Sequence, residues 1–157
     1  MIIVMLTLTV NLNNALYVRT NHANTKAHVQ IVADMLYNDL TQAGYRATRP
    51  VFTILCSNDI EFKGDIDNNG LADTIRYYTV PNGSSYKLYR KVNGGTVLEV
   101  GKNFSSITFQ YYKLKGKITS NPDSVKAVRA NIVMSVEGAT EGFTTATKDI
   151  KIYPSNL

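Results

Sequence analysis

The chain has 157 residues, of which 44% are hydrophobic and 18% charged, with a formal net charge of +5 at neutral pH. That length supports one domain with a real core and excludes two comfortable ones, while the single cysteine, Cys56, excludes an internal disulfide framework and any multi-cysteine metal site. The positive charge suits anionic surfaces such as nucleic acid, lipid headgroups or acidic polysaccharide, but the basic residues are scattered.

Met1 to Val18 carries no charged side chain. Eighteen helical residues would span about 27 Å at ~1.5 Å each, close to the thickness of a bilayer core. The strongly apolar part is only Met1 to Val10, and Asn11, Asn13 and Asn14 interrupt a plain membrane span. A cleaved secretory signal fits poorly, because no Lys or Arg precedes the apolar run and no small-x-small site follows it. The expectation is that further hydrophobic residues lie upstream of the printed start, or that other helices of an assembly bury this one. From Thr25 the pattern becomes amphipathic, with Val29, Val32, Leu36, Leu40 and Ala43 on one face and Lys26, Gln30, Asp34 and Asn38 elsewhere. Gly44 stands where a left-handed C-cap is expected. The predicted organisation is a helical stalk over residues 1–45 and a β head over residues 46–157.

Within the head, Val51 to Cys56 reads as a strand with Cys56 as a small buried hydrophobe. Thr74 to Val80 and Tyr86 to Val92 flank Pro81-Asn82-Gly83-Ser84-Ser85 and predict a hairpin, after which Asn93-Gly94-Gly95 turns the chain into Thr96 to Val100. Alternation at Ile107, Phe109 and Tyr111, and at Val128, Ala130, Ile132, Met134 and Val136, gives two strands with one apolar face each. Lys113 to Ser124 between them reads as an exposed excursion whose lysines, Lys113, Lys115 and Lys117, form a solvated turn. Thr145 to Tyr153 is the last predicted strand. Short turns between neighbouring strands favour an antiparallel sheet, giving an α+β fold in which the second half of the long helix packs on one face.

The sharpest chemical motif is Asp65-x-Asp67-x-Asn69-Gly70-x-x-Asp73. Side-chain oxygens of Asp65, Asp67, Asn69 and Asp73, with a backbone carbonyl near Leu71, form a donor set suited to a hard cation of calcium size. An EF-hand is excluded, because its twelfth position falls on Arg76. The alternative is an Asp- and Asn-rich hairpin turn that needs no metal. His22 and His28 lie on different faces of the helix and do not share a site. In each pair Tyr77-Tyr78 and Tyr111-Tyr112 one ring must point inward and one outward. No Ser/His/Asp set, phosphate loop or HExxH motif occurs, so no enzyme is expected.

The run Leu36-Tyr37-Asn38-Asp39-Leu40-Thr41-Gln42-Ala43-Gly44-Tyr45 is followed by Asp65 to Tyr78, then Leu88-Tyr89-Arg90 with Asn93-Gly94-Gly95, Ser106 to Tyr112, and the ending Tyr153 to Leu157. In that order they resemble the type IV pilin-like proteins, and among them the PilW-like minor pilins and the J-type pseudopilins of type II secretion. The resemblance implies a pilin-like fold and a structural subunit of a type IV pilus or pseudopilus filament. It implies pilin or pseudopilin partners and a place in the bacterial cell envelope, first in the inner membrane and then in an extracellular filament. Such proteins carry a glutamate as their fifth mature residue; here that position is Met5. The alternative expectation is a secreted or surface adhesion module, stiffened by calcium, that contacts glycan, DNA or a host surface.

Overall fold

The computed structural model describes residues 2–137 and 143–157, with the side chains of residues 2–12, 14 and 137 outside that description. Helix α1, Ile2–Thr41, is 40 residues long, or about 60 Å at ~1.5 Å per residue. Burial of the expected apolar run Met1 to Val10 lies outside the described residues. From Ala15 to Thr20 every side chain is exposed, and among the described residues Thr25 is the first that is buried. Val29, Val32, Ala33, Leu36, Leu40 and Ala43 then form a continuous buried stripe, as spacings of three and four residues on a 3.6-residue helix require.

Seven strands follow: β1 Phe52–Leu55, β2 Asp59–Gly64, β3 Asp73–Asn82, β4 Ser85–Val92, β5 Val97–Tyr112, β6 Ala127–Glu137 and β7 Phe143–Ile152. Each pairs antiparallel with the next, so one sheet runs in chain order from β1 to β7 and curls into a half-barrel. The β3–β4 pair closes at Asn82 and Ser85 around Gly83-Ser84. Asn93 and Gly94 both have positive φ in the next turn, the backbone that a tight reversal of right-twisted strands demands.

The expected α+β pilin-like head is corrected by this arrangement. The sequence suggested a run from Thr96 to Val100 and a separate strand with its alternation at Ile107, Phe109 and Tyr111. Instead they form one 16-residue strand. Its first half pairs with β4 and its second with β6, with register shifts near Leu88 and Phe104 and a positive φ at Asn103. Such bulges bend a strand without breaking its ladder. Gly101 permits the bend, since a Cβ there would lie 3.0 Å from the Phe104 ring. The result is one long, curled meander, which is not a typical pilin head. Cys56 is corrected as well: it lies just beyond β1 and is exposed.

The helical stripe packs against Phe52, Ile60, Phe62, Ile75, Tyr77, Leu88, Phe104 and Ile132, all fully or almost fully buried, with α1 nearest to β7 and β6. The C-terminal end of α1 is closely fitted. Gly44, at φ +86°, sits so near Asn156 that a Cβ would lie 2.5 Å from its carbonyl oxygen, and a Cβ on Gly64 would lie 2.3 Å from that of Gln42. A polar lock fixes the helix to the far strands: the Tyr77 hydroxyl and Arg90 Nε each donate to Asp39 Oδ2 at 2.7 Å. Burial, and then the neighbouring Asp39 charge, push the Tyr77 hydroxyl well above the ordinary phenol range.

Equilibrium urea denaturation checks this packing. Leu36→Ala should lower the unfolding free energy by ~2–5 kcal/mol, and Asp39→Ala, which strands a half-buried guanidinium, by about 3 kcal/mol. Glu99→Gln, at the more exposed Lys87–Glu99 pair, should cost less than about 1 kcal/mol.

Candidate functional site

The acidic motif forms the connection from β2 to β3, immediately beneath the end of α1. Two backbone bonds hold it there: Gly44 N–H donates to the Lys63 carbonyl at 2.9 Å, and Asp65 N–H donates to the Tyr45 carbonyl at 3.0 Å. Asp65 is buried and acts as the hub of the turn. Its Oδ1 accepts from Asn69 N–H at 3.0 Å, and its Oδ2 accepts from Gly70 N–H at 2.9 Å and Arg46 Nη1 at 2.8 Å. Asp67, which is exposed, accepts from the Asn69 backbone at 3.1 Å and from its side-chain amide at 2.9 Å. Positive φ at Asn68 and Gly70 turns the chain back on itself; of the two, Gly70 adopts that conformation at no steric cost.

Asp73, the buried first residue of β3, closes the site. Its Oδ1 accepts from Asn93 Nδ2 at 2.6 Å and its Oδ2 from Ile66 N–H at 3.3 Å. Carboxylate oxygens of Asp65, Asp67 and Asp73 all lie within 4.8 Å of one another, the one group of three such ligands among the described residues. Asn69 Oδ1 accepts from Leu71 N–H at 2.8 Å within the turn, and Leu71 is exposed. Arg76 is in β3 and makes a two-pronged pair with Asp59, at 3.0 and 2.6 Å.

Three carboxylates with one bonded guanidinium leave an excess of two negative charges, and the carbonyl end of α1 adds to it. An all-oxygen donor set of this charge can hold a hard metal ion. In this structure Arg46 supplies the compensating charge, stacked over the Tyr45 ring with its guanidinium 4.9 Å from the ring centroid. Burial alone would raise the Asp65 carboxyl, but hydrogen bonds from Arg46, Gly70 and Asn69, and the Arg46 charge, hold it below the ordinary aspartate value.

The other sequence candidates do not join this cluster. His28 is exposed and lines a groove between α1 and β5 with Glu99 and Lys102, and His22 is half-buried one and a half turns earlier. Tyr77 and Tyr111 are buried while Tyr78 and Tyr112 are half-buried, and Tyr78 stacks on Tyr89 at 5.6 Å. Lys113, Lys115 and Lys117 are all exposed.

Arg46 and Asn93 were not visible as site residues in the sequence. Asn93 is twenty residues from Asp73 and arrives beside it through the β3–β4 register, in which Thr74 N–H donates to Asn93 Oδ1 at 2.8 Å. Arg46 arrives because Gly44 reverses the chain. No protein-family model, curated protein or solved structure matches the chain, so the site is read from its own chemistry.

The depressed Asp65 carboxyl contributes stability above the unfolded-state value near 3.8, and that contribution is lost as pH falls through the lower folded-state value. Arg46→Gln should therefore move the onset of acid unfolding to higher pH, followed by circular dichroism. Lys63→Gln, which removes a charge outside the hydrogen-bonded cluster, should move it little.

Proposed function

We propose that the chain is a non-enzymatic structural subunit of a type IV pilus or pseudopilus-like filament, built into it through the N-terminal half of α1. The carrying observation is the exposed stretch of α1 from Ala15 to Thr20. Leu16, Tyr17 and Val18 are 53%, 50% and 38% exposed, ahead of the point where the sheet first covers the helix. This part of the chain is uncharged as well as unsupported, so water is a poor environment for it. Pilin and pseudopilin helices would enclose it in the filament after a stay in the inner membrane, and the β head would ride outside.

The proposal draws on the helix and on the sequence resemblance, not on the architecture of the head. Among the described residues no helix is long and apolar enough to cross a membrane. The asparagines at positions 11, 13 and 14 suit a helical bundle, where amides find partners across helices, better than a lipid environment. Burying a few hundred Å² of apolar surface at ~25 cal/mol per Å² supplies on the order of 10 kcal/mol gross, enough to drive association. In analytical ultracentrifugation the full chain should self-associate, while a chain beginning at Asn21 should sediment as a monomer. Identical sedimentation of the two would remove the proposal.

The acidic turn supports a second element of this reading: calcium stiffens the head at the end of α1. Calcium takes oxygen ligands at about 2.3–2.6 Å, so three carboxylate oxygens that all lie within 4.8 Å of one another can share one such ion. The ion would take over from Arg46 at Asp65. Affinity should lie in the weak extracellular range, ~10⁻⁴ to 10⁻³ M. At ~100 times the dissociation constant calcium should add ~2.7 kcal/mol of stability, seen as a chelator-reversible rise in melting temperature that Asp67→Ala removes. Melting that ignores both calcium and chelator would leave the turn closed by Arg46 alone.

A further inference from the structure

The β5–β6 connection lies at the end of the head farthest from the projecting part of the helix. Thr25 and His28 flank Asn103 and Met134 where α1 emerges. Tyr112 and Ala127, paired at the other end of β5 and β6, are eight residues further along β5 from Phe104, or about 26 Å at ~3.3 Å per residue. The connection is ordered by its own bonds: Lys113 N–H donates to the Lys117 carbonyl at 2.8 Å and Thr119 N–H to that of Tyr111 at 2.9 Å. Positive φ at Lys115 and Gly116 makes the tip.

Behind this tip is a cavity of about 200 Å³ bordered by Tyr112, Lys113, Lys115, Lys126, Lys151 and Tyr153, and no acidic residue lines it. Beside it, Leu114 and Ile118 stand 67% and 68% exposed, alternating in sequence with the three lysines. Folding has left two aliphatic side chains in water next to lysines along the chain, and Leu114 also borders the cavity that Lys113, Lys115, Lys126 and Lys151 line. That combination matches a surface that is anionic outside and apolar beneath.

We propose that Lys113 to Ile118 and the cavity behind it form a docking surface for an anionic phospholipid bilayer, the lysines meeting headgroup phosphates while Leu114 and Ile118 enter the acyl boundary. Lysine stems lie along the apolar layer while their ammonium groups stay among the phosphates, and Tyr153 is placed at the interface that tyrosine favours. A nucleic acid strand fits the surface less well. Lys151 Nζ already sits 4.4 Å from the Tyr112 ring centroid and 5.4 Å from that of Tyr153, so the rings are not open platforms for base stacking. A strand would also have no use for the two exposed aliphatics.

This inference goes beyond the assembly reading and can fail separately from it. The full chain is reconstituted in phosphatidylcholine nanodiscs and its capture by phosphatidylserine-containing vesicles is measured by flotation. Retention in the nanodisc reports on the helix and capture by the vesicle reports on the loop; a chain not retained is assayed free. Capture should require phosphatidylserine and weaken as salt is raised. The triple variant Lys113→Gln, Lys115→Gln, Lys117→Gln should reduce it on the order of a hundredfold, at about fivefold per lysine. Leu114→Ser with Ile118→Ser should reduce it at least about tenfold. Equal capture by neutral and anionic vesicles, or capture unchanged in either variant, would overturn the proposal. So would loop-dependent binding to a single-stranded oligonucleotide or to heparin that is tighter than binding to the vesicles.

Discussion

A half-barrel cannot close its own core, and the second half of α1 is the element that fills this one. In a flat sheet the inner faces of β2, β3, β4 and β6 would each look for cover separately. Because the sheet curls, one stripe of six residues, five in α1 from Val29 to Leu40 and Ala43 just past its end, meets nearly all of them. The buried aromatics Phe52, Phe62, Tyr77 and Phe104 therefore share their core with a helix that the sheet does not itself contain. Interiors this closely packed tolerate little displacement, and the close approaches at Gly44 and Gly64 leave the helix end no room to slide. The bonds from Arg90 and Tyr77 to Asp39 reach strands with which the helix backbone has few close approaches. They fix its rotation as well as its depth.

The parts of this fold that local chemistry determines were readable in advance, and the parts set by long-range geometry were not. The amphipathic stripe, the left-handed Gly44 and the Gly83-Ser84 hairpin each follow from a few adjacent residues. Curvature does not. It arises where β5 bends at Asn103 while keeping partners on both sides, and in sequence that bend looks like a turn between two short strands. Cys56 misled for a related reason: alternation continues through it, but the ladder ends one residue earlier. At the acidic turn the carboxylates were legible because they are neighbours in sequence. Arg46 and Asn93 were not, since their roles come from a helix cap and a strand register.

Two charged segments of the head, the acidic turn and the lysine-rich connection, lie toward the end where α1 stops. The acidic turn is bonded directly to Gly44 and Tyr45, and the lysine-rich connection neighbours the same end through Val125 and Leu157, which share a cavity with Arg49. The two groups are kept apart by strand order, one between β2 and β3 and the other between β5 and β6. A compact head thus carries an acidic turn and a lysine-rich loop without their neutralising each other. Arg129 and Asp149, paired between β6 and β7, hold a further opposed pair of charges in check beside Tyr112.

The continuity of α1 from its free segment into the core also determines how the head would bear a load. Tension applied along the rod enters the globe parallel to the helix axis, so the contacts from Thr25 to Ala43 resist it together as shear. None can be peeled away ahead of the others while the rod stays straight. The strands would feel the pull only after the whole plug had begun to slip, which makes the joint strongest along the helix axis.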